Sequence, residues 1–461
     1  MVSRRIYCNE YTPLLRELIN KVNKSKSKFI SPLSDYCYFN PKIELPQFND
    51  YDIVSFIPME VVRELTGKVE IKTAYYKDVA KGFTKFAEGD LIWAKITPCM
   101  QNGKSAIAKG LIKGVGFGST EFHVIRPKDD SVNIEFIREI LTLEETLNAF
   151  QGAFTGSAGQ QRVPVDFLSE FRFPIPPRKV QDNFVDTLKI ARNQKLFKEK
   201  LAEEILNGLD SYILDKLDLT LPEKSNISSY AITKSILNNR IDSYSNQSHF
   251  RKLFNKLSEK KYNTHTIKSV SDRIISGSTP LSGGDAYTQS PNGIRFIRSG
   301  EITSDGSVTA KSENHIKEEI HYNSLQRSQL KKNDVLIAIV GATIGQVGIF
   351  EFEEEANINQ AIAAISISDP EVLPQYLCWY LKSSLGQMIL DYFKRPVARA
   401  NINLEEISQI PVIIPKKEIQ IEIINEVTHR KEEAIRLKIE AETEWQNAKK
   451  WFEEQLLEGA K

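Results

Sequence analysis

The chain has few of the residues from which catalytic and metal centres are most often built. Its 461 residues hold four cysteines, Cys8, Cys37, Cys99 and Cys378, spread far apart with no C-x-x-C pair. A zinc ribbon or redox dithiol is therefore not expected, and a reducing compartment is the simplest setting. The six histidines, His123, His249, His265, His315, His321 and His429, form no H-x-x-x-H pair, so a helical metal site has no support. His315 and His321 fall in a charged segment and read as solvated; His123 falls in an apolar run and reads as a satisfied core or edge histidine. No run approaches about 18 uncharged apolar residues, and the start, "MVSRRIYCNEY", lacks the apolar stretch of a signal peptide. No membrane contact and a cytoplasmic location are expected. Charge of one sign is missing too: 61 basic against 60 acidic residues leave +1, so only local clusters can argue for a nucleic-acid partner.

Catalytic motifs are equally scarce. The glycine-rich stretch "VGATIGQVGIF" (Val340 to Phe350) invites comparison with a phosphate-binding loop, but Gly341 and Gly345 are followed by Gln346, where a P-loop needs lysine and a hydroxyl. The G-x-G-x-x-G spacing also fails, so these glycines read as turn or bulge residues beside a strand. No G-x-S-x-G elbow marks a nucleophile, and no N/D-P-P-Y/F tetrapeptide, which amino-methyltransferases use to hold a target amine, occurs. Catalysis by this chain alone is not expected. What is present is an ordinary globular composition, 41% hydrophobic and 26% charged, over a length that suits two to four domains.

The chain also repeats itself. "GDLIWAKITPC" (Gly89 to Cys99) matches the pattern of "NDVLIAIVGAT" (Asn333 to Thr343). "VSFIPMEVV" (Val54 to Val62) parallels "IRFIRSGEIT" (Ile294 to Thr303), "GSTEFHVIRP" (Gly118 to Pro127) parallels "NINQAIAAIS" (Asn357 to Ser366), and "FRFPIPPRKVQ" (Phe171 to Gln181) parallels "SQIPVIIPKKEIQ" (Ser408 to Gln420). One order and nearly one offset, about 240 residues, imply duplication. Each half begins with short Val, Ile, Phe and Tyr runs that read as strands, passes a proline-marked exit, and ends in a long proline-free helix. From Val180 to Leu217, 3-4 spacing selects Phe184, Leu188, Ala191, Ala202, Ile205, Leu209 and Tyr212, interrupted by Lys195 and Lys198. From Gln420 to Leu457 it selects Ile424, Val427, Ala434, Ala441, Trp445, Ala448 and Phe452, interrupted by Lys431 and Lys438. Two such stripes predict that the helices pair, with the lysines favouring one register; the alternative is that each packs on its own globular region. "TLPEKSNISS" reads as a connector.

Local clusters point to DNA. Between Asp90 and Glu121 no acid occurs, while Lys95, Lys104, Lys109 and Lys113 do. The candidate contacts in the first half are Lys95, Thr97, Gln101, Asn102, Lys104, Ser119, Thr120, Ser157, Gln160, Gln161 and Arg162. Those in the second are Ser278, Thr279, Arg295, Arg298, Ser299, Thr343, Gln346, Lys394, Arg395, Arg399 and Asn401. Lysine and arginine contact phosphate and release counterions. Arginine can grip guanine, and glutamine or asparagine adenine, in the major groove.

Taken in order, these motifs resemble the specificity (S) subunits of type I restriction–modification systems. The resemblance rests on "VSFIPM", "FAEGDLIWAKITPCMQNGK", "GFGSTEFHVIRP" and "FPIPP" in the first half. In the second it rests on "NNRIDSYSNQSHF", "ISGSTP", "IRFIRSGEI", "NDVLIAIVGATIGQVGIF", "NINQAIAAI" and "IPVIIP". It departs at Ile413 and Ile414, where a second proline often lies, and at Val180, where an acid is common; the helix start and partner contacts are left open by this. The resemblance implies an α+β chain of two tandem mixed α/β target-recognition domains, residues 1–177 and 240–412, separated by two long helices pairing as an antiparallel coiled coil, with pseudo-two-fold internal duplication. The helices are placed at 178–219 and 413–461, with a connector at 220–239. It further implies that each domain reads half of a bipartite sequence in double-stranded DNA while the helices set the unread gap. The partners implied are two adenine-N6 methyltransferase (M) subunits and ATP-dependent restriction (R) subunits. S-adenosylmethionine, ATP and Mg are expected on those partners, and no cofactor, metal or catalytic residue in this chain. The recognition subunit of a type IIB system and a scaffold that binds only protein are the alternative readings.

Overall fold

A computed structural model describes residues 12–25, 29–157, 160–224, 242, 244–259, 261–280, 285–289, 293–310, 314–394 and 401–458. The chain divides into two units, Met1–Glu199 with Lys438–Lys461, and Lys200–Leu437. In chain order the first unit contains α1 (Pro13–Lys24), β1 (Ile30–Pro32), β2 (Cys37–Phe39), β3 (Ile53–Ile57), β4 (Lys72–Tyr75), α2 (Tyr76–Val79), β5 (Thr84–Ala87), β6 (Leu91–Ala94), β7 (Ser105–Ile107), β8 (Val115–Gly118) and β9 (Phe122–Pro127). It continues with α3 (Ile134–Leu141), α4 (Glu144–Phe150), α5 (Val165–Glu170), β10 (Arg172–Pro174) and the start of α6 (Arg178–Lys216). The second contains α7 (Ser248–Leu257), β11 (Thr264–Thr266), α8 (Ile267–Val270), β12 (Ser271–Ser276), β13 (Tyr287–Thr288), β14 (Ile294–Ile297), β15 (His315–Ile316), β16 (Asp334–Ala338), β17 (Val347–Phe350), β18 (Ala356–Ile358) and β19 (Ile362–Ile367). Then come α9 (Pro374–Lys382), α10 (Ser384–Phe393), α11 (Leu404–Ser408), β20 (Pro411–Ile413) and the start of α12 (Lys417–Glu458).

The first unit has a sheet of order β2-β9-β6-β7 and a second of order β4-β3-β8-β5; β1 pairs with β10. Alternation along β6 explains the layering. Leu91 and Trp93 point to a core shared with Phe136, Ile140, Phe150 and the long-helix residues Phe184, Leu188 and Phe452. Ile92, between them, points to the other core, with Phe86, Ile57 and Val124. The second unit repeats this. Its sheets run β12-β19-β16-β17 and β13-β15-β14-β18, and β11 pairs with β20. Val335 and Ile337 of β16 face the helices, whereas Leu336 and Ala338 face the second sheet. The four sequence matches therefore fall on matching strands.

The duplication extends to buried polar anchors. Asp90 and Asp334, each 1% exposed, open the matching strands β6 and β16. Asp90 takes a two-pronged bond from Arg126 at 2.7 and 2.8 Å, and Asp334 accepts from Arg273 at 2.7 Å. The residue before each has left-handed backbone, Gly89 at φ 86° and Asn333 at φ 69°, which accounts for Gly and Asn in "GDLI" and "NDVL". At the start of the long helices, Gln181 and Gln420 are both fully buried. The Gln181 amide accepts from Asn133 N at 2.7 Å and donates to Ser131 O at 3.0 Å and Pro176 O at 2.7 Å. Gln420 accepts from Leu373 N at 3.0 Å and donates to Glu371 O at 2.8 Å and Pro415 O at 2.9 Å.

Segments of both long helices pair antiparallel inside each unit. In the first, Phe184 meets Phe452 with ring centroids 5.3 Å apart, and Lys198 bridges to Glu444 at 2.7 Å and Glu440 at 3.2 Å. In the second, Ala202 packs with Ala434 and Leu437, and Lys216 bridges to Glu422. Lys195 and Lys198 thus end on carboxylates of the opposite helix. Observed helix bounds are tighter than the sequence expectation. Pro411–Ile413 forms β20 against β11, so α12 starts at Lys417, and α6 stops at Lys216. Most of the expected connector, from residue 225 onward, lies outside the described residues.

Candidate nucleic-acid interface

The candidate contacts are best located from the loops that carry them. In the first unit three segments meet at one end of the sheets: the β6–β7 loop with Lys95, Thr97, Gln101, Asn102 and Lys104; the β8–β9 turn with Ser119 and Thr120; and a strap before α5 with Ser157, Gln160, Gln161 and Arg162. Backbone bonds fasten them together: Lys95 N to Glu121 O at 2.9 Å, Val163 N to Lys95 O at 2.9 Å, Thr97 N to Gln161 O at 3.0 Å, and Ser119 N to Ile57 O at 3.3 Å. Asn102, Thr120, Ser157 and Gln160 are exposed. Behind the loops, Trp93 stacks on His123 with ring planes 7° apart. His123 contacts Val163 O at 2.8 Å and the Asn40 amide at 3.3 Å. Burial pushes its pKa down to about 4, so it is a neutral, satisfied floor to the site.

Several side chains already have partners. Arg162 grips Glu121 with two bonds of 2.8 Å and Gln160 O with a third of 2.7 Å. The hydrogen bond from Arg162, with its charge, outweighs burial and holds the Glu121 carboxyl below its ordinary range. Asn102 donates to Glu64 at 2.7 Å, and Gln101 to Gln151 at 3.0 Å. Glu121, Glu64 and Gln151 were not singled out in the sequence, since their roles depend on contacts 38 to 50 residues distant.

The second unit builds the same end from the same bonds. Ile339 N donates to Ala361 O at 2.8 Å, Ile402 N to Ile339 O at 3.1 Å, and Asn359 N to Ile297 O at 3.1 Å. Thr343 and Gln346 lie in the β16–β17 loop, whose Gly341 and Gly345 have φ of 93° and 91°; these are turn glycines, as the sequence suggested. The Lys394 ammonium reaches over Gly345 and pairs with Asp391 at 2.7 Å. Asn401 is exposed and bridges to Val340. Ser278 and Thr279 are exposed after β12, where Thr279 bonds Gln360 of the β18–β19 turn. Arg298 and Ser299 follow β14; Arg298 is exposed, with its guanidinium 6.0 Å from the Tyr287 ring. Arg395 and Arg399 lie outside the described residues.

Two readings need correction. Arg295 is 4% exposed and held by Glu354 at 2.6 Å and by the Thr309 carbonyl, with its guanidinium over Phe352; it serves the interior. His321 is 2% exposed rather than solvated, bonded to the buried Asn357 side chain.

Fold and loops define a duplicated recognition protein that presents two sets of polar loops on matching scaffolds. Among the described residues no metal-capable cluster is assembled and no helix is long and apolar enough to cross a membrane. The family model of the type I restriction modification DNA specificity domain matches residues 33–207 and again 259–429. The chain belongs to that family. It is 36% identical over 197 residues to the specificity subunit of the type I restriction enzyme EcoEI of Escherichia coli, a match covering 42% of this chain and 32% of that protein. To the EcoAI specificity subunit of the same organism it is 36% identical over 195 residues, with the same two shares. The matches thus span about a third of these relatives' length. In fold it resembles a chain from a structure addressing complex assembly and conformational transition of the type I R-M system, at TM-score 0.61 and 14% identity, covering 94% of this chain and 98% of that one.

Proposed function

We infer that this chain is the DNA sequence-specificity subunit of a type I restriction–modification complex and is itself non-catalytic. It reads a bipartite target in double-stranded DNA with its two loop clusters, in the cytoplasm. Adenine methylation and ATP-driven cleavage belong to methyltransferase and restriction partners, which carry S-adenosylmethionine, ATP and Mg. The observation that carries this reading is the duplicated set of three backbone bonds around loops whose side chains differ. Arg162 bridges to Ile96 where Asn401 bridges to Val340. Lys95 occupies the place of Ile339, and Thr120 that of Gln360. One scaffold presenting different donors and acceptors suits two unlike half-sites. Lys95 and Lys104 suit phosphate, and Asn102 and Gln160 suit base edges.

Co-expression with the cognate methyltransferase, followed by genome-wide mapping of modified adenines, tests the reading. One bipartite motif is expected, and Asn102→Ala should change preference in one half-site only. Methylation without a defined motif, or motif-specific methylation by the partner alone, would refute it.

A further inference from the structure

Each unit carries a small hairpin fastened to its own stretch of long helix by charge, largely buried in the first unit and half-exposed in the second. In the first unit the hairpin closes at the Val62–Val69 bridge, and in the second at Ile302–Val308. The turn glycines have positive φ, Gly67 at 71° and Gly306 at 85°. Both lie against a cation: a Cβ on Gly67 would fall 2.7 Å from the Arg138 guanidinium, and one on Gly306 would fall 2.9 Å from the Lys382 chain. These cations also hold hairpin carbonyls, Arg138 donating to Leu65 O at 2.6 Å and Lys382 to Ser304 O at 2.7 Å.

The long helices complete the attachment. Arg192 of α6 donates to both Glu139 oxygens at 2.9 Å, and Glu139 accepts from Arg138 at 2.6 Å. Lys431 of α12 pairs at 3.2 Å with Asp305, inside the second hairpin. Arg192 and Lys431 occupy the same place in the repeat, eleven residues after Gln181 and Gln420. Each lies over a tryptophan, Arg192 5.1 Å from Trp445 and Lys431 5.5 Å from Trp379. The chemistry differs between the copies while the mechanical connection is kept. The hairpins in turn touch the recognition loops or their stems. Leu65 N donates to Gly103 O at 3.4 Å, Glu64 accepts from Asn102 at 2.7 Å, and Ile349 N of β17 donates to Gly306 O at 3.1 Å.

We propose that Arg192 and Lys431 are positioning residues for DNA reading: each latches a recognition head at a fixed angle to its long helix and so sets how strictly the gap between half-sites is measured. This rests on the specificity-subunit reading. Without the latch the head stays on the helix through the apolar core and the buried glutamine, but its angle is less tightly fixed, and a looser angle tolerates a gap one base pair too long or too short. Simple loss of stability would instead lower methylation at every site alike.

The test uses the full chain with its methyltransferase partner, scoring adenine methylation at sites with the cognate gap and at sites one base pair off. Arg192→Met leaves Glu139 paired with Arg138, and Lys431→Met leaves Asp305 its Thr303 and Ser307 hydroxyl bonds. Each should raise methylation of off-length sites about tenfold relative to cognate sites, the factor expected from losing one charged contact. Lys431→Arg should restore the gap. Should Arg192→Met not accumulate folded, Arg192→Gln, which keeps a donor but removes the charge, carries the same expectation. A wild-type motif with unchanged gap stringency in the variants, or a uniform drop at all sites, overturns the latch alone. A wild-type complex with no motif overturns the specificity reading and the latch with it.

Discussion

Glu453, on the last turns of α12, sits beside Glu145 of α4, with Lys21 of α1 between them, bonded to Glu145 and 3.9 Å from Glu453. Burial, then the neighbouring Glu145, pushes the Glu453 carboxyl up to about 7, and Lys21 offsets only part of this. A carboxyl raised above its unfolded value binds its proton more tightly in the folded chain. Its stabilising contribution is therefore complete below about pH 4.5 and is lost as pH rises through about 7. Glu453→Gln fixes the neutral form. Relative to the wild type it should gain a few degrees in melting temperature at pH 8 and almost nothing at pH 5. Parallel melting curves across that range would show that this carboxyl does not govern the docking of α1. The cluster's origin is tertiary: Lys21 and Glu145 are separated by 124 residues, and neither stood out in the sequence.

At the scale of the element, the long helices were the most legible part of the chain. Of the positions chosen by spacing alone, Phe184, Leu188, Ala191, Ala202, Leu209, Val427, Ala434, Ala441 and Phe452 are buried, while Ile205, Tyr212, Ile424, Trp445 and Ala448 are half-buried. A helical stripe is a local property, and burying its large side chains is worth about 2 kcal/mol each. The strand regions were legible as short runs of Val, Ile, Phe and Tyr, and β6 and β16 are buried along their whole length because each lies between two cores. Polar interior positions were not legible. Arg295 and His321 were misjudged because their burial depends on Glu354 and Asn357, 59 and 36 residues away. The loop candidates were named by residue type, and three-dimensional convergence on one sheet end separates them from Arg295. The glutamine that opens each helix was quoted as part of a repeat without a role. With its own side chain fully buried, Gln420→Ala removes the partner of Leu373 N, Glu371 O and Pro415 O. The expected loss is about 2 kcal/mol or more, so amide exchange at the start of α12 should accelerate roughly 30-fold. Unchanged exchange there would mean that water replaces the amide without cost.

For the whole molecule, the two long helices are the elements that both units share. The helix α6 runs 39 residues and α12 runs 42 residues without a break, and each unit holds part of both. Their seams carry specific ionic matches, Lys198 with Glu440 and Glu444 in one unit and Lys216 with Glu422 in the other, so a shifted register would lose those pairs. Under the proposed function, length in this paired run is length of unread DNA. Four residues added to each helix lengthen the run by about 6 Å at 1.5 Å per residue, close to two base-pair steps of about 3.4 Å. Four residues also turn the helix through about 400°, which returns the seam to within roughly 40° of its original face. Placing the insertions opposite each other, where Ala202 packs on Ala434, keeps both sets of ionic partners on their own side. Methylation mapping of the insertion variant should return both half-sites unchanged with the gap longer by about two base pairs. An altered half-site with the original gap would mean that the loops, not the helices, measure distance.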